Sequence, residues 1–158
     1  MEIAQTALGW RQERKTMARL EHCNIRSFDL AATIRFYEEV IGLRAGPVPG
    51  MNRGAWLYDD SDVAVVHVID LDTDNRDASL GEIRHRLGEL AGPLDPDAMR
   101  GGGAVDHIAF HCDDYDAMVA RLEAHGAPYR TFDLPAYQLR QILVNDPSDV
   151  TLELNFRD

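Results

Sequence analysis

Residues 20–43, "LEHCNIRSFDLAATIRFYEEVIGL", and residues 105–126, "VDHIAFHCDDYDAMVARLEAHG", decide the fold. Each opens on a histidine flanked by apolar residues, alternates as a strand does, meets an acidic turn and continues with helical spacing. His22 and His107 lie 85 residues apart, and the same shift carries Asp29 onto Asp114, Ala32 onto Ala117 and Glu38 onto Glu123. The chain is therefore read as a weak internal repeat, supported less by identities than by a shared order of elements.

Working outward, "RLEHCNIR" alternates, and Ser27 or Asp29 is placed to cap a helix whose stripe is Leu30, Ile34, Tyr37, Val40 and Ile41, with Gly42 as its stop. Three strands are expected next; "GAWLYDD" and "DVAVVHVID" form a hairpin among them. The second half repeats the order, with Asp113 or Asp114 as cap, a helix to Gly126, then "PYRTFDL", "YQLRQILV" and "DVTLELNF". The resulting expectation is an α+β fold of two tandem βαβββ modules forming a curved mixed sheet around a metal-binding cleft. Residues 1–18 form an N-terminal appendage, with Trp10 as an apolar anchor if it packs, and residues 19–158 a single domain. Module one covers 19–72, a linker 73–102 and module two 103–158. Within the linker "LGEIRHRLGEL" is helical with Leu80, Ile83 and Leu87 on one stripe, and is a candidate cover over the cleft. "GGG" at 101–103 reads as a flexible joint, since no Lys-Ser/Thr pair follows it as in a phosphate cradle.

Composition narrows the function. A chain of 158 residues, 45% hydrophobic, holds one core. A net charge of −11 argues against nucleic acid, whose non-specific affinity comes from basic residues neutralising phosphates. The start lacks the pattern of a signal peptide and no apolar run is long enough for a bilayer, so the expectation is a cytoplasmic protein with no membrane partner. Cys23 and Cys112 suit reduced, buried thiols. Lys15 is the sole lysine, which disfavours Schiff-base chemistry.

His67 lies 45 residues after His22 and Glu153 lies 46 after His107, so each falls on the last strand of its module. A lone histidine in an apolar strand is more often a satisfied core residue than a ligand, and a carboxylate on an alternating strand often faces solvent. Four such residues at repeat-equivalent positions point instead to a metal shell: imidazoles and one carboxylate suit a divalent first-row ion and leave positions open for chemistry. His111 shares strand parity with His107 but is read as a polar strand end, and His85 and His125 as surface helix positions.

The pattern H-x-N-I-R-x-x-D-L-x-x-x-x-x-F-Y-x-x-V-x-G-L beginning at His22, with "DHIAF" and "NDPSDVTLELNF", resembles the vicinal oxygen chelate superfamily over residues 19–158. That superfamily includes glyoxalase I, extradiol dioxygenases, methylmalonyl-CoA epimerase and fosfomycin-resistance enzymes. The resemblance implies His22, His107 and Glu153 as metal ligands, with His67 as a fourth ligand or an acid/base, and it implies a homodimer. Two positions depart from the pattern. Ile142 and Leu143 stand where many ring-cleaving members carry Tyr or His, and Asp149 replaces the glycine of the family turn.

His67 is where the chemistry divides. An ion that chelates two substrate oxygens and also binds O₂ needs three open positions, which leaves His67 free as an acid/base. If His67 coordinates, two positions remain, which favours lyase or isomerase chemistry with an oxyanion stabilised by the ion. Strand parity adds Asn24, Arg26, Trp56, Tyr58 and Asn155 as substrate contacts, Trp56 and Tyr58 having core packing as their plainer role. The leading expectation is an enzyme using one divalent ion (Fe, Ni, Co, Zn or Mn) on a small oxygenated molecule, a glyoxalase-like lyase or isomerase. An Fe(II) extradiol-type ring-cleaving dioxygenase and a metal-free drug-binding protein are the alternatives.

Overall fold

The structure, a computed structural model, describes residues 20–50, 53–91, 94, 95, 98–102, 105 and 107–157. The appendage expected at 1–18, with Trp10, lies outside the described residues, as does the side chain of Leu87. No helix among the described residues is long and apolar enough to cross a membrane.

Module one runs β1 (Cys23–Ser27), α1 (Leu30–Phe36), β2 (Arg44–Gly46), β3 (Ala55–Tyr58) and β4 (Ala64–Asp70). α2 (Arg76–Leu87) follows, and module two runs β5 (Ile108–His111), α3 (Tyr115–His125), β6 (Tyr129–Leu134), β7 (Leu139–Asn145) and β8 (Thr151–Arg157). The strands form two four-stranded mixed sheets of identical order, β1-β4-β3-β2 and β5-β8-β7-β6. In each the first strand pairs parallel with the last, and the other pairs are antiparallel. The expected architecture is present, except that no strand ladder joins β1 to β5, so the described sheets stay two rather than one continuous curve.

Asp29 and Asp114, the aligned pair, are the caps: their carboxylates accept from the amides of Ala32 at 2.9 Å and Ala117 at 3.0 Å. Ser27, the other candidate, instead accepts from the Asp29 amide and shares a buried hydrogen bond with Thr33. After Phe36 the first helix widens into a π-helical turn over Tyr37–Ile41 and stops at left-handed Gly42. Phe36, Tyr37 and Val40 all reach the interior there, whereas Leu30, Ile34 and Ile41 pack at its margin.

One face of each sheet makes a common core. Ile25, Leu57, Val66 and Val68 from the first join Ile142, Leu152, Leu154 and Phe156 from the second, with Phe36, Tyr37, Met118 and Leu122 from the helices. Residues of opposite parity, including His67 and Glu153, lie on the other face and are only half buried. α2 begins four residues before the expected helical stretch because Asn75 caps it by accepting from the Ala78 amide. Its Leu80 and Ile83 are buried with Leu71 outside the main core. Of the three glycines expected as a joint, Gly101 and Gly102 are described, and each has a backbone position that suits glycine. Gly101 has a left-handed φ of +68° and donates to the Ser148 carbonyl at 2.8 Å, and a Cβ on Gly102 would collide with the Val105 carbonyl oxygen.

Candidate active site

Register explains how the four predicted donors are placed. Asn24 of β1 lies opposite His67 of β4, and its equivalent Ala109 of β5 lies opposite Glu153 of β8. His22 and His107 each stand two residues before these partners, so on parity each shares a face with the last-strand donor of its own module. β4 carries a β-bulge against β3, ahead of the residues that pair with β1. Leu57 pairs with Val66 and Tyr58 with Ala64, so Val65 is an extra residue in β4.

The donors stand as two pairs. His22 and His67 stack with ring centroids 3.9 Å apart and planes 17° from parallel. The His107 Nε2 lies 3.8 Å from Glu153 Oε2. Among the described residues no group of three or more His, Cys, Asp and Glu side chains is gathered as an ion's cage. The edges of β1 and β5 line shared grooves, one of about 460 Å³ and one of about 520 Å³, each within the range that takes a small molecule. Cys23 and Ile108 line both, and they are repeat equivalents, so His22 and His107 each precede the same central level.

The donors fit an ion chemically, because neutral imidazole nitrogens and a carboxylate are the ligands of divalent first-row metals. The 3.8 Å between His107 and Glu153 is long for a hydrogen bond and within what two ligands at about 2.1 Å from one ion can span. Parallel stacking of His22 on His67 does not converge their nitrogens, so the first pair fits in chemistry and not in present ring geometry.

Burial, and next the neighbouring His22, hold His67 below the ordinary histidine value of 6.5. It is therefore the neutral imidazole, able to accept a proton or a ligand bond, near neutral pH. Burial pushes the Cys112 thiol up to about 11 and also raises Cys23, so neither is a thiolate nucleophile.

The predicted contact residues sort differently. Asn24 is exposed on the face of His67. Arg26 lines the 460 Å³ groove with a buried Nε that has no hydrogen-bond partner. Asn155 supports the carboxylate: its Nδ2 donates to Glu153 Oε1 at 2.8 Å, and its Oδ1 accepts from Gln141 Nε2 at 2.9 Å. Gln141 was not expected, although it faces Asn155 across β7 and β8, a neighbour relation only register reveals. Tyr58 packs against Gly46 and under the Arg44 guanidinium, 4.7 Å from the ring centroid. Trp56 stacks on His67 at 4.6 Å. His111 is an exposed strand end, as expected. His125 departs from its expected surface position, sitting half buried against Phe36 and 3.3 Å from Glu39 of module one.

Similar folds occur among solved structures. A protein from the mobile metagenome of V. Pseudocholerae, VPC_CASS1, matches at 15% identity and a TM-score of 0.60, over 92% of this chain and 99% of that one. Lactoylglutathione lyase from Agrobacterium tumefaciens matches at 19% identity and a TM-score of 0.55, over 90% and 96%. Fosfomycin resistance protein FosX from Mesorhizobium loti matches at 17% identity and a TM-score of 0.57, over 90% and 95%. Comparison with curated protein sequences gives no significant match. The family pattern itself matches over residues 19–154, and the chain belongs to the Glyoxalase/Bleomycin resistance protein/Dioxygenase superfamily.

Proposed function

We propose that the protein is a divalent-metal-dependent enzyme acting on a small oxygenated molecule, a lyase or isomerase of glyoxalase type. The observation that carries this reading is the placement of His22 with His67 and of His107 with Glu153 at matching register positions of the two sheets, with His22 also lining the groove of about 520 Å³ between the edges of β1 and β5. These four residues would hold one ion, which when bound supplies Lewis-acid stabilisation of an oxyanion. The chain's own groups supply the rest. Gln141 and Asn155 fix the Glu153 carboxylate, as outer-shell partners of metal ligands do. Arg26, with its unpaired Nε, binds an anionic group of the substrate. His67, kept neutral, accepts a proton if it is not a ligand. The reading includes a homodimer in the cytoplasm.

Leu143, opposite Glu153, weighs against the ring-cleaving alternative because it offers no proton-transfer group there. The flat stack of His22 on His67 favours a second reading, a small-molecule binding protein in which these rings are a contact surface.

Element-resolved metal content of protein purified anaerobically without chelator tests the proposal. About one ion per chain is expected, lost in His107→Ala and strongly reduced in Glu153→Gln. A chain that takes up no ion even after reconstitution would overturn it and bring the binding-protein reading forward.

A further inference from the structure

We propose that Trp56 is a positioning residue that clamps the His67 ring from behind. The inference rests on the reading of His67 as a member of the site. Trp56 is directly opposite His67 in the β3–β4 ladder, and their rings lie 10° from parallel with centroids 4.6 Å apart. His22 covers the opposite face of the same imidazole at 3.9 Å. The Trp56 face keeps the His67 imidazole in one plane with its nitrogen-bearing edge outside the stack, and it goes on doing so when His22 swings off the stack to bring its own nitrogen to a shared ion. Support of a neighbour is thus a role for Trp56 beside the expected substrate contact and core packing. Module two has no counterpart: Leu143 takes the equivalent place opposite Glu153, and that carboxylate is oriented by Asn155 instead. One donor is oriented by hydrogen bonds and the other by stacking.

Stacking and ion binding are separable in experiment. In ion-free protein, the His67 ring protons in an aromatic proton–carbon correlation spectrum are expected upfield, in the ring current of Trp56. Trp56→Phe keeps a stacking face and should retain most of that shift, whereas Trp56→Leu and Trp56→Met should lose it. Titration with Ni²⁺ or Zn²⁺ by calorimetry should then show affinity near wild type for Trp56→Phe. For Leu and Met it should be weaker by about 10–100-fold, the usual effect of losing an outer-shell partner. Having two ringless variants guards against one that fails to fold. Wild-type affinity in a folded ringless variant would overturn the positioning role and leave Trp56 as packing. If the wild type binds no ion, the metal reading falls separately, and ion-free ring shifts unchanged in the ringless variants would overturn the clamp itself.

Discussion

Tyr37 has no exposed surface, yet it carries a hydroxyl, and that hydroxyl donates to Asp146 Oδ2 at 3.1 Å, from the first module into the second. The other carboxylate oxygen of Asp146 accepts from the Ser148 and Val150 amides, so the acid is tied on both sides while only 3% exposed. Tyr37→Phe leaves a buried acceptor short of a donor and is expected to cost about 1–3 kcal/mol, read from urea unfolding. Burial outweighs these hydrogen bonds and holds the Asp146 carboxyl above its ordinary 3.8. A carboxyl raised in the folded state adds stability that is complete below the unfolded value and is lost as the pH climbs through the folded one. Asp146→Asn should therefore gain on the wild type as the pH rises from below 3.8 toward neutral; a pH-independent difference would show that the carboxyl titrates normally. The sequence made the tyrosine visible as one position on a helical stripe. It could not show its partner, 109 residues away, because nothing local in either segment encodes the contact.

Among the elements, the repeat runs deeper than the aligned histidines suggested. "DDSDV" at 59–63 and "DPSDV" at 146–150 build one turn twice. In each the first aspartate's carboxylate accepts from the amides two and four residues on, its amide donates to the closing valine's carbonyl, and the fourth residue is left-handed, at φ +63° in both. This explains why a glycine suits the family turn at the place Asp149 occupies, and Asp149→Gly should stabilise the fold by about 1 kcal/mol in urea unfolding, because it removes the Cβ that the left-handed φ strains. The helix caps are also duplicated, and Asp29→Ala and Asp114→Ala should each cost about 1 kcal/mol and add in the double variant, since the caps lie in separate modules. Strands, helices and caps were legible because periodicity and short polar residues act locally. β2 was not, since three residues beside a Gly-Pro run carry no period. The start of α2 was missed because Asn75 lies ahead of its apolar stripe.

Across the whole molecule the two modules share one interior, with Phe36 and Tyr37 of the first in the same core as Met118 and Leu122 of the second. A single cooperative unfolding transition is expected, and a fragment ending at residue 72 should lack native circular dichroism. The exception is α2, whose buried Leu80 and Ile83 lie outside that core; Ile83→Ala should speed hydrogen exchange in α2 while leaving β7 and β8 protected. The four candidate donors were legible as positions because residue type and repeat spacing are properties of the chain. Their division into a stacked pair and a carboxylate pair was not, since ring planes and side-chain hydrogen bonds depend on neighbours such as Trp56 and Gln141 that register alone brings together. Val65 is one residue more than the β3–β4 ladder needs, whereas β7 and β8 pair without a break. Its presence gives the first half slack that the second lacks: the gene can lose the Val65 codon and still deliver His67 to the same side of the sheet. The same loss at Leu152 would turn the end of β8 over, exchanging the solvent and interior roles of Glu153 and its neighbours.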